Sequence, residues 1–519
     1  FNKMIKSKKK SIEQSLWDTA IKLRGSVDPG EYKHVVLSLI FLKYIGDVFK
    51  SRYEELISEG KKKYVDMVEF YAMKNVFYLP QHCRWDYIIK NAKQKDISVK
   101  IDSALKDIEK KNKSLKGALP ENYFSRLDIE ISKLAALLDT INNIDITSDK
   151  SNDIIGRVYE YFLKQFSITE KNMKGEFYTP KCLVNLIAEL IEPYRGTIYD
   201  PCCGTGGMFV QSMKFIDSHK GNKKDIAIYG QENIATTYKL ARMNLAVRGI
   251  LANLGEGPRD TFTKDQHEDL KADFIMANPP FNLKDWRDEN ELNDDPRWSG
   301  YDIPPVSNAN FAWILHIVSK LSTNGTAGFL LANGALSDDD TLSIRKKLIE
   351  NDLIDAIFTL PRNTFYSTDI SVTLWIISKN KKKRILKNPD KTRNLRDRSN
   401  EILFMDLRQW GAEIDKRFIE ITDEEIKRIS SIYHSWQESE SFKDINETCK
   451  SVKSNELKIK NYSLKCSDYI QFINQDSKIN YDKEMKRISK DFSKILENEK
   501  ESQNKLIEAF KKLGHEIKS

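Results

Sequence analysis

Hydrophobic positions follow three different patterns along the chain. Over residues 11–139, apolar residues recur at three- and four-residue spacing, which predicts amphipathic helices. Over residues 154–407, short β-rich runs alternate with helical stretches, and a helical pattern then returns. We therefore predict an N-terminal helical domain at 1–150, an α/β domain at 151–425 and a helical region at 426–519.

Seven runs in the middle region predict strands, each bounded by turn residues. They read "GTIYDPCC", "DIAIYGQE", "ADFIMANPP", "GTAGFLLANG", "LIDAIFTLP", "SVTLWIIS" and "EILFMDL". Strands that alternate with helices favour a doubly wound, Rossmann-like α/β sheet, here with some antiparallel pairing at the edge. The predicted fold class is thus α/β, with helical regions on both sides.

The C-terminal region carries an apolar stripe at helical spacing on a highly charged background. Its positions are Met485, Ile488, Phe492 and Ile495, then Leu506, Phe510, Leu513 and Ile517 after a polar break. Such a stripe forms either a helix packed on its own domain or a coiled-coil arm for a partner. The heavy surrounding charge favours the partner interpretation.

Composition narrows the class of protein. The 519 residues are 40% hydrophobic and 31% charged, as in ordinary globular proteins. No apolar run of about 18 residues and no signal-peptide pattern is present, so we expect no membrane association. Six scattered cysteines lack the spacing of a zinc site, which predicts reduced thiols in the cytoplasm and no metal. The net charge of +8 permits contact with a polyanion without requiring it.

Polar residues follow three successive predicted strands. Asp200 precedes the glycine-rich turn "PCCGTGG", Glu232 ends the next strand about 30 residues later, and Asp260 precedes the strand that ends in "ANPPF". These groups should converge at the carboxyl edge of the sheet, where open α/β sheets bind ligands. The turn alone is also consistent with a simple strand-to-helix connection. Since neither a P-loop nor GxGxxG spacing is present, S-adenosylmethionine fits better than ATP or NAD.

The stretch "ANPPFN" (277–282) suggests chemistry on an amine. An exocyclic amine of a nucleobase is a poor nucleophile because its lone pair is delocalised into the ring. The Asn278 side-chain oxygen and the Pro279 carbonyl could accept both N–H bonds and orient that lone pair. Phe281 could stack on a base flipped out of a duplex. The alternative is a structural turn with Phe281 in the core.

These motifs together resemble a known family. "NPPF" downstream of "DPCCGTGG", with "GEFYTP" before both, resembles DNA amino-methyltransferases of the gamma motif order. The stretch "LWDTAIKLRGSVDPGEYKHVVLSLIFLKYIGD" resembles the N-terminal helical domain of modification subunits of type I restriction-modification systems. The resemblance extends over roughly residues 12–475.

The resemblance implies roles for individual residues. Those that would cover the cofactor are Glu176, Phe177, Tyr178, Thr179, Pro180 and Lys181. Those that would hold its methionine end are Asp200, Gly204, Thr205, Gly206 and Gly207; Glu232 would bind the ribose and Asp260 the adenine side. The catalytic set would be Asn278, Pro279, Pro280 and Phe281. Phe365 or Tyr366 could form the second wall of the base pocket, although core packing explains either as well.

The resemblance also implies partners. Only about 95 residues follow Asp423, too few to read several bases in a groove, so a separate specificity subunit should choose the site on double-stranded DNA. The assembly expected is two copies of this chain on one specificity subunit, with a restriction subunit for cleavage. The basic stretch 379–398 could contact phosphates or be a solvated hairpin, and the acidic loop 284–298 is interpreted as surface. Alternative functions are methylation of RNA or of a protein glutamine, N4-cytosine methylation, and a non-catalytic scaffold.

Overall fold

The structure is a computed structural model. It describes residues 12–21, 29–127, 129–143, 158, 160–162, 164–165, 179–365, 370–414, 417–472 and 481–512. The chain divides into two compact units, Phe1–Ile470 and Gln471–Ser519.

The first part of the larger unit is helical, as predicted. Its helices are α1 (Ile12–Ile21), α2 (Pro29–Ser58), α3 (Glu69–Ala72), α4 (Trp85–Lys90), α5 (Ile97–Lys111) and α6 (Ile131–Asn142). The buried faces of these helices form one continuous apolar core, because their apolar residues recur at the period of the helix.

An eight-stranded mixed sheet forms the centre of the larger unit. Its strands, in spatial order, are β12 (Cys449–Lys453), β9 (Glu401–Asp406), β5 (Ile354–Thr359), β6 (Val372–Ser378), β4 (Leu321–Ala332), β3 (Ala272–Ala277), β1 (Gly196–Asp200) and β2 (Ile226–Gly230). Strands β6 and β12 run antiparallel to their neighbours, and the others share one direction. The order reverses at β1, which pairs with both β2 and β3, so a ligand crevice is expected at the carboxyl end of β1.

Helices cover this sheet. They are α7 (Lys181–Ile191), α8 (Gly207–Ser218), α9 (Ala235–Val247), α10 (Asn310–Lys320), α11 (Leu342–Glu350), α12 (Asp423–Glu438) and α13 (Ser454–Ile459). Helix α9 is apolar on two faces. Leu240, Met243 and Val247 belong to the N-terminal core, whereas Tyr238, Ala241 and Leu245 belong to the core of the sheet.

The seven predicted strands are all present, and the described residues contain five further strands. They are β7 (Arg384–Lys387) with β8 (Thr392–Leu395), β10 (Ala412–Ile414) with β11 (Phe418–Glu420), and β12. Strand β12 pairs with β9 in the main sheet, and the smaller unit begins only at Gln471. The predicted domain boundary at residue 425 therefore falls inside α12.

The smaller unit contains one long helix, α14 (Tyr481–Lys512). Its exposed apolar residues include Met485, Ile488, Phe492, Ile495, Leu496, Leu506, Ile507 and Phe510. The predicted positions Leu513 and Ile517 lie outside the described residues. Among the helices that the structure describes, none is both long and apolar enough to cross a membrane.

Candidate functional site

The glycine turn leads from β1 into α8 at the carboxyl edge of the sheet. Gly204 and Gly206 adopt φ values of +54° and +80°, in the left-handed region that favours glycine. A Cβ added at Gly207, the first residue of α8, would meet no heavy atom within 4 Å. The turn thus leaves open space beside the N-terminus of a helix, where backbone N–H groups favour polar ligands. The carbonyl of Thr205 accepts a hydrogen bond from Asn244 Nδ2 of α9 at 2.7 Å.

Glu232 fixes the glycine turn against the end of β2. Its Oε2 accepts from the Gly204 backbone N–H at 3.0 Å, and its Oε1 accepts from the Ile234 backbone N–H at 2.8 Å. The side chain is buried. Two of the predicted residues, 28 positions apart in sequence, are therefore in direct contact.

Asp200 is a buried carboxyl at the end of β1. It is 1% exposed, and its Oδ1 accepts from the Cys202 backbone N–H at 3.0 Å. Burial raises the pKa of Asp200 to about 8, and the negative charge of Glu232 contributes to the rise. A positive charge placed beside Asp200 would therefore stabilise its ionised form.

Asp260 organises a short turn beside this site. Its Oδ1 accepts from the backbone N–H groups of Phe262 and Thr263, both at 2.9 Å. The Thr261 hydroxyl donates to the Pro201 carbonyl at 2.6 Å, so the turn is attached to the end of β1. The structure thus places Asp260 close to the glycine turn.

Sequence reasoning missed Gln231, which shapes the same turn. This side chain is fully buried, and its Nε2 donates to the carbonyls of Arg259, Asp260 and Lys264 at 3.2, 3.1 and 2.7 Å. A buried amide with three acceptors holds an irregular loop in one conformation. Its only sequence signal is its place before Glu232 in "YGQE", which does not distinguish it from an exposed glutamine.

Asn278 lies directly after β3, and only the nitrogen of its side-chain amide has a hydrogen-bond partner among the described residues. Its Nδ2 donates to Thr179 Oγ1 at 2.9 Å, so the end of "GEFYTP" meets "NPPF". Its Oδ1 is buried and finds no hydrogen-bond partner among the described residues. An unpartnered buried acceptor costs free energy and points to a missing donor.

The other residues of the two motifs are placed as follows. Pro180 precedes α7 and is buried, Lys181 is exposed, and Glu176, Phe177 and Tyr178 lie outside the described residues. In the second motif, Pro279 is buried and Pro280 is partly buried.

Two aromatic rings meet beside Asn278. Phe281 and Phe365 have ring centroids 5.6 Å apart and planes at 84°, an edge-to-face contact. Phe281 is partly buried, whereas Phe365 is 2% exposed. Phe365 therefore supports Phe281 from the core, and Tyr366 lies outside the described residues.

The basic stretch 379–398 leaves β6 at the opposite edge of the sheet, because β6 runs antiparallel to β4. It forms the β7–β8 hairpin, and its buried cations are used in internal ion pairs. These pairs are Lys381 with Asp352, Arg393 with Glu192 and Glu438, Arg396 with Glu401, and Arg398 with Asp355. The predicted hairpin is therefore present, but it is not solvated throughout, and its four buried cations are not available to phosphates.

The acidic loop 284–298 is only in part a surface loop. Asp288 and Glu289 are exposed as expected, but Trp286 and Trp298 are buried. The Trp286 ring lies 4.6 Å from that of Phe262, measured between centroids. The loop is therefore anchored to the turn that carries Asp260.

The sheet order and the clustered residues at its carboxyl edge define a Rossmann-like α/β fold with a candidate ligand site. The chain belongs to the N-6 DNA methylase family, whose family model matches residues 150–478, and the model of the HsdM N-terminal domain matches residues 12–144. The predicted resemblance, fold class and enzyme class, an adenine-specific DNA methyltransferase, are thereby confirmed.

Two relatives and one solved structure illustrate the similarity. The HindI methylase subunit of a type I restriction enzyme from Haemophilus influenzae is 40% identical over 72% of this chain and 83% of its own length. The MjaIX methylase subunit from Methanocaldococcus jannaschii is 32% identical over 97% and 91%. The type I restriction-modification methyltransferase subunit from Streptococcus thermophilus has the same fold, with a TM-score of 0.73 at 23% identity over 89% of this chain and 99% of that chain.

Proposed function

We propose that this chain transfers the methyl group of S-adenosylmethionine to the N6 amine of an adenine flipped out of double-stranded DNA. The observation that carries the proposal is the buried, unpartnered Oδ1 of Asn278, held in place by the bond from its Nδ2 to Thr179. An acceptor in that state is ready for a donor that arrives with the substrate. The amine of adenine is such a donor.

The chemistry follows from the positions of two oxygens. Asn278 Oδ1 and the Pro279 carbonyl each accept one N–H bond of the amine, and its lone pair then points out of the plane of the base. Proline suits this position because it fixes the local backbone and offers a carbonyl without its own N–H. The rate gain comes from orientation in a near-attack geometry and from polarisation of the amine.

Phe281 receives the face of the flipped base. A base that leaves the duplex loses stacking, and an aromatic platform recovers on the order of 1–3 kcal/mol of it. The edge contact from Phe365 keeps the Phe281 ring in one orientation. In this role Phe365 supports the platform from behind.

The cofactor residues follow the predicted assignment. Asp200 and the turn from Gly204 to Gly207 hold the methionine end, Glu232 the ribose and Asp260 the adenine side, while residues 176–181 cover the ligand. When bound, S-adenosylmethionine would supply an electrophilic methyl group whose bond to the positively charged sulfur breaks, leaving a neutral thioether, while the methylated amine loses one proton to solvent. The open space at Gly207 and the raised pKa of Asp200 support this assignment.

The partners are those of a type I assembly. We assign target choice to a specificity subunit, cleavage to a restriction subunit, and place a second copy of this chain in the same complex. The exposed apolar stripe of α14 supports a protein partner, since 59% of the Phe492 side chain and 61% of that of Ile495 are exposed.

The test is Asn278→Ala in the complex assembled with its specificity subunit. We expect DNA binding to persist and the methylation rate to fall by about 100-fold or more, because the amine loses its oriented acceptor. Transfer of labelled methyl groups to DNA, RNA and protein is measured in parallel. A near-normal rate in the variant, or label only on RNA or protein with the wild-type complex, would contradict the proposal.

A further inference from the structure

Asn282, the residue after Phe281, is held by a pair of reciprocal hydrogen bonds. Its backbone N–H donates to Asn310 Oδ1 at 3.1 Å, and its own Oδ1 accepts from Asn310 Nδ2 at 2.9 Å. Asn282 is exposed and adopts a φ of +52°, in the left-handed region. Asn310 is 2% exposed. One buried amide therefore fixes both the backbone and the side chain of the residue that ends the catalytic motif.

The same end of the motif is tied to a rigid element. Asn310 is the first residue of α10, a helix whose residues are almost all buried. The Ala309 backbone N–H donates to the Leu283 carbonyl at 2.9 Å, and Asn308 Nδ2 donates to Asn282 Oδ1 at 3.3 Å. The chain after Phe281 is thus attached to the N-terminus of α10 through both backbone and side chains.

We propose that Asn310 is a positioning residue for the methyl transfer, acting through Asn282 on Phe281 and Pro279. Thr179 holds the start of "NPPFN" through Asn278, and Asn310 holds its end through Asn282. A five-residue loop fixed at both ends keeps its carbonyl and its ring in one arrangement before the base arrives, and such preorganisation raises the rate of a positioned reaction. The inference rests on the proposed function.

Asn310→Leu removes both bonds with little change in volume. In the complex assembled with the specificity subunit, we expect kcat to fall by about 10- to 100-fold, since small misplacements near reacting atoms cost that much. The KM for S-adenosylmethionine should stay within about twofold of wild type, because Asp200 and Glu232 are untouched. A duplex with 2-aminopurine at the methylated position should show a weaker fluorescence rise, since the flipped base finds a disordered platform.

Two further variants separate positioning from folding. Asn310→Asp keeps an acceptor for the Asn282 N–H and should retain more of the rate than Asn310→Leu. Asn282→Gly lies at an exposed position and tolerates the φ of +52°. It removes the side-chain bonds from Asn310 and Asn308 but keeps the backbone bond to Asn310, so it should fold and lose rate severalfold. The double variant Asn282→Gly with Asn310→Leu should be at most slightly slower than Asn310→Leu alone, because both substitutions remove the Asn282–Asn310 contact and the double variant loses in addition only the 3.3 Å bond from Asn308.

The control is Asn324→Leu. Asn324 is exposed near the opposite edge of the sheet and also bonds another asparagine, through Asn380 Nδ2 at 2.7 Å. It should leave kcat and fluorescence unchanged. The inference is overturned if Asn282→Gly matches wild type in both kcat and 2-aminopurine fluorescence. It is also overturned if the effects of Asn282→Gly and Asn310→Leu on kcat are additive in the double variant. Absence of adenine methylation by the wild-type complex would instead refute the proposed function.

Discussion

Asp200, a buried carboxyl at the carboxyl edge of the sheet, lowers the stability of the ligand-free protein when it is ionised. Asp200 is enclosed beside Glu232, and burial raises its pKa from 3.8 to about 8. The folded chain therefore binds this proton more tightly than the unfolded chain does. The contribution of this protonated carboxyl to the free energy of unfolding is fully present below pH 3.8 and is lost as the pH rises through about 8.

Asp200→Asn should consequently stabilise the ligand-free protein at alkaline pH. The amide keeps an acceptor for the Cys202 N–H and carries no charge to bury. We expect the free energy of unfolding at about pH 8.5 to rise by about 1 kcal/mol or more, since one pKa unit corresponds to about 1.4 kcal/mol. The gain should be smaller at about pH 6, and affinity for S-adenosylmethionine should fall, a stability–function trade-off.

Urea unfolding at both pH values measures this effect. The matched control is Asp225→Asn, because Asp225 is exposed and its substitution should change stability by less than about 0.5 kcal/mol. An equal change at both pH values would contradict the role of a buried ionisable group at position 200.

At the residue scale, the sequence predicts the residues of the chemical motifs better than the residues that hold the surrounding loops in place. The positions of Asp200, Glu232 and Asn278 at the carboxyl edge of the sheet could be predicted because motif spacing marks them. Gln231 and Asn310 could not, since an amide that bonds backbone groups of a distant loop has no periodicity and no motif. Their roles depend on which loop the fold brings within hydrogen-bond distance.

At the element scale, the β7–β8 hairpin shows that many charged residues in a strand make its alternating pattern hard to recognise in the sequence. Residues 379–398 are so rich in lysine and arginine that period-two alternation is hard to see, although Arg393 and Leu395 are buried and Thr392 and Asn394 exposed. The buried arginines are compensated by carboxylates from other elements. Strand β12 was likewise missed, because "CKSVK" is short and polar and lies at the edge of the sheet.

Arg393→Met should destabilise the protein and leave DNA binding unchanged. Arg393 is 3% exposed and bonds Glu192 and Glu438, so its removal leaves Glu192 buried with less compensation. We expect the free energy of unfolding to fall by about 3–5 kcal/mol. The salt dependence of DNA binding should not change, because a buried side chain paired with two carboxylates is not available to a phosphate.

Urea unfolding measures the expected loss of stability. DNA affinity at several salt concentrations measures the expected unchanged salt dependence. Lys383→Met in the same hairpin is the control, since Lys383 is exposed and should change stability by less than about 0.5 kcal/mol. A reduced salt slope for Arg393→Met with unchanged stability would instead favour the phosphate interpretation.

At the scale of the whole molecule, the smaller unit contributes an apolar surface, since every described side chain of α14 is exposed. Helix α14 exposes Phe492, Ile495 and their neighbours along one stripe, interrupted by the polar stretch 497–505. An isolated helix with such a face gains stability by burying it against another helix. The stripe was predictable from spacing alone, whereas its partner could be inferred only from the family resemblance.

Phe492→Asp should release the chain from the specificity subunit. A charge in the middle of the stripe costs free energy on burial, so co-purification should be lost. Lys490→Asp introduces the same side chain about 160° away around the helix and should leave assembly intact. Both variants should bind S-adenosylmethionine normally, and loss of assembly with Lys490→Asp alone would contradict the assigned face.

Helix α9 has a thermodynamic consequence for the larger unit. One of its faces completes the N-terminal core, the other completes the core of the sheet, and Asn244 between them bonds the glycine turn. If either core loses its packing, α9 becomes exposed, and the other core then loses the helix that completes it. A ligand that binds at the turn, present at a free concentration of 100 times its Kd, raises the free energy of unfolding by about 2.7 kcal/mol. That increment is shared by both cores, so a small molecule at one edge of the sheet also protects the N-terminal helices from unfolding.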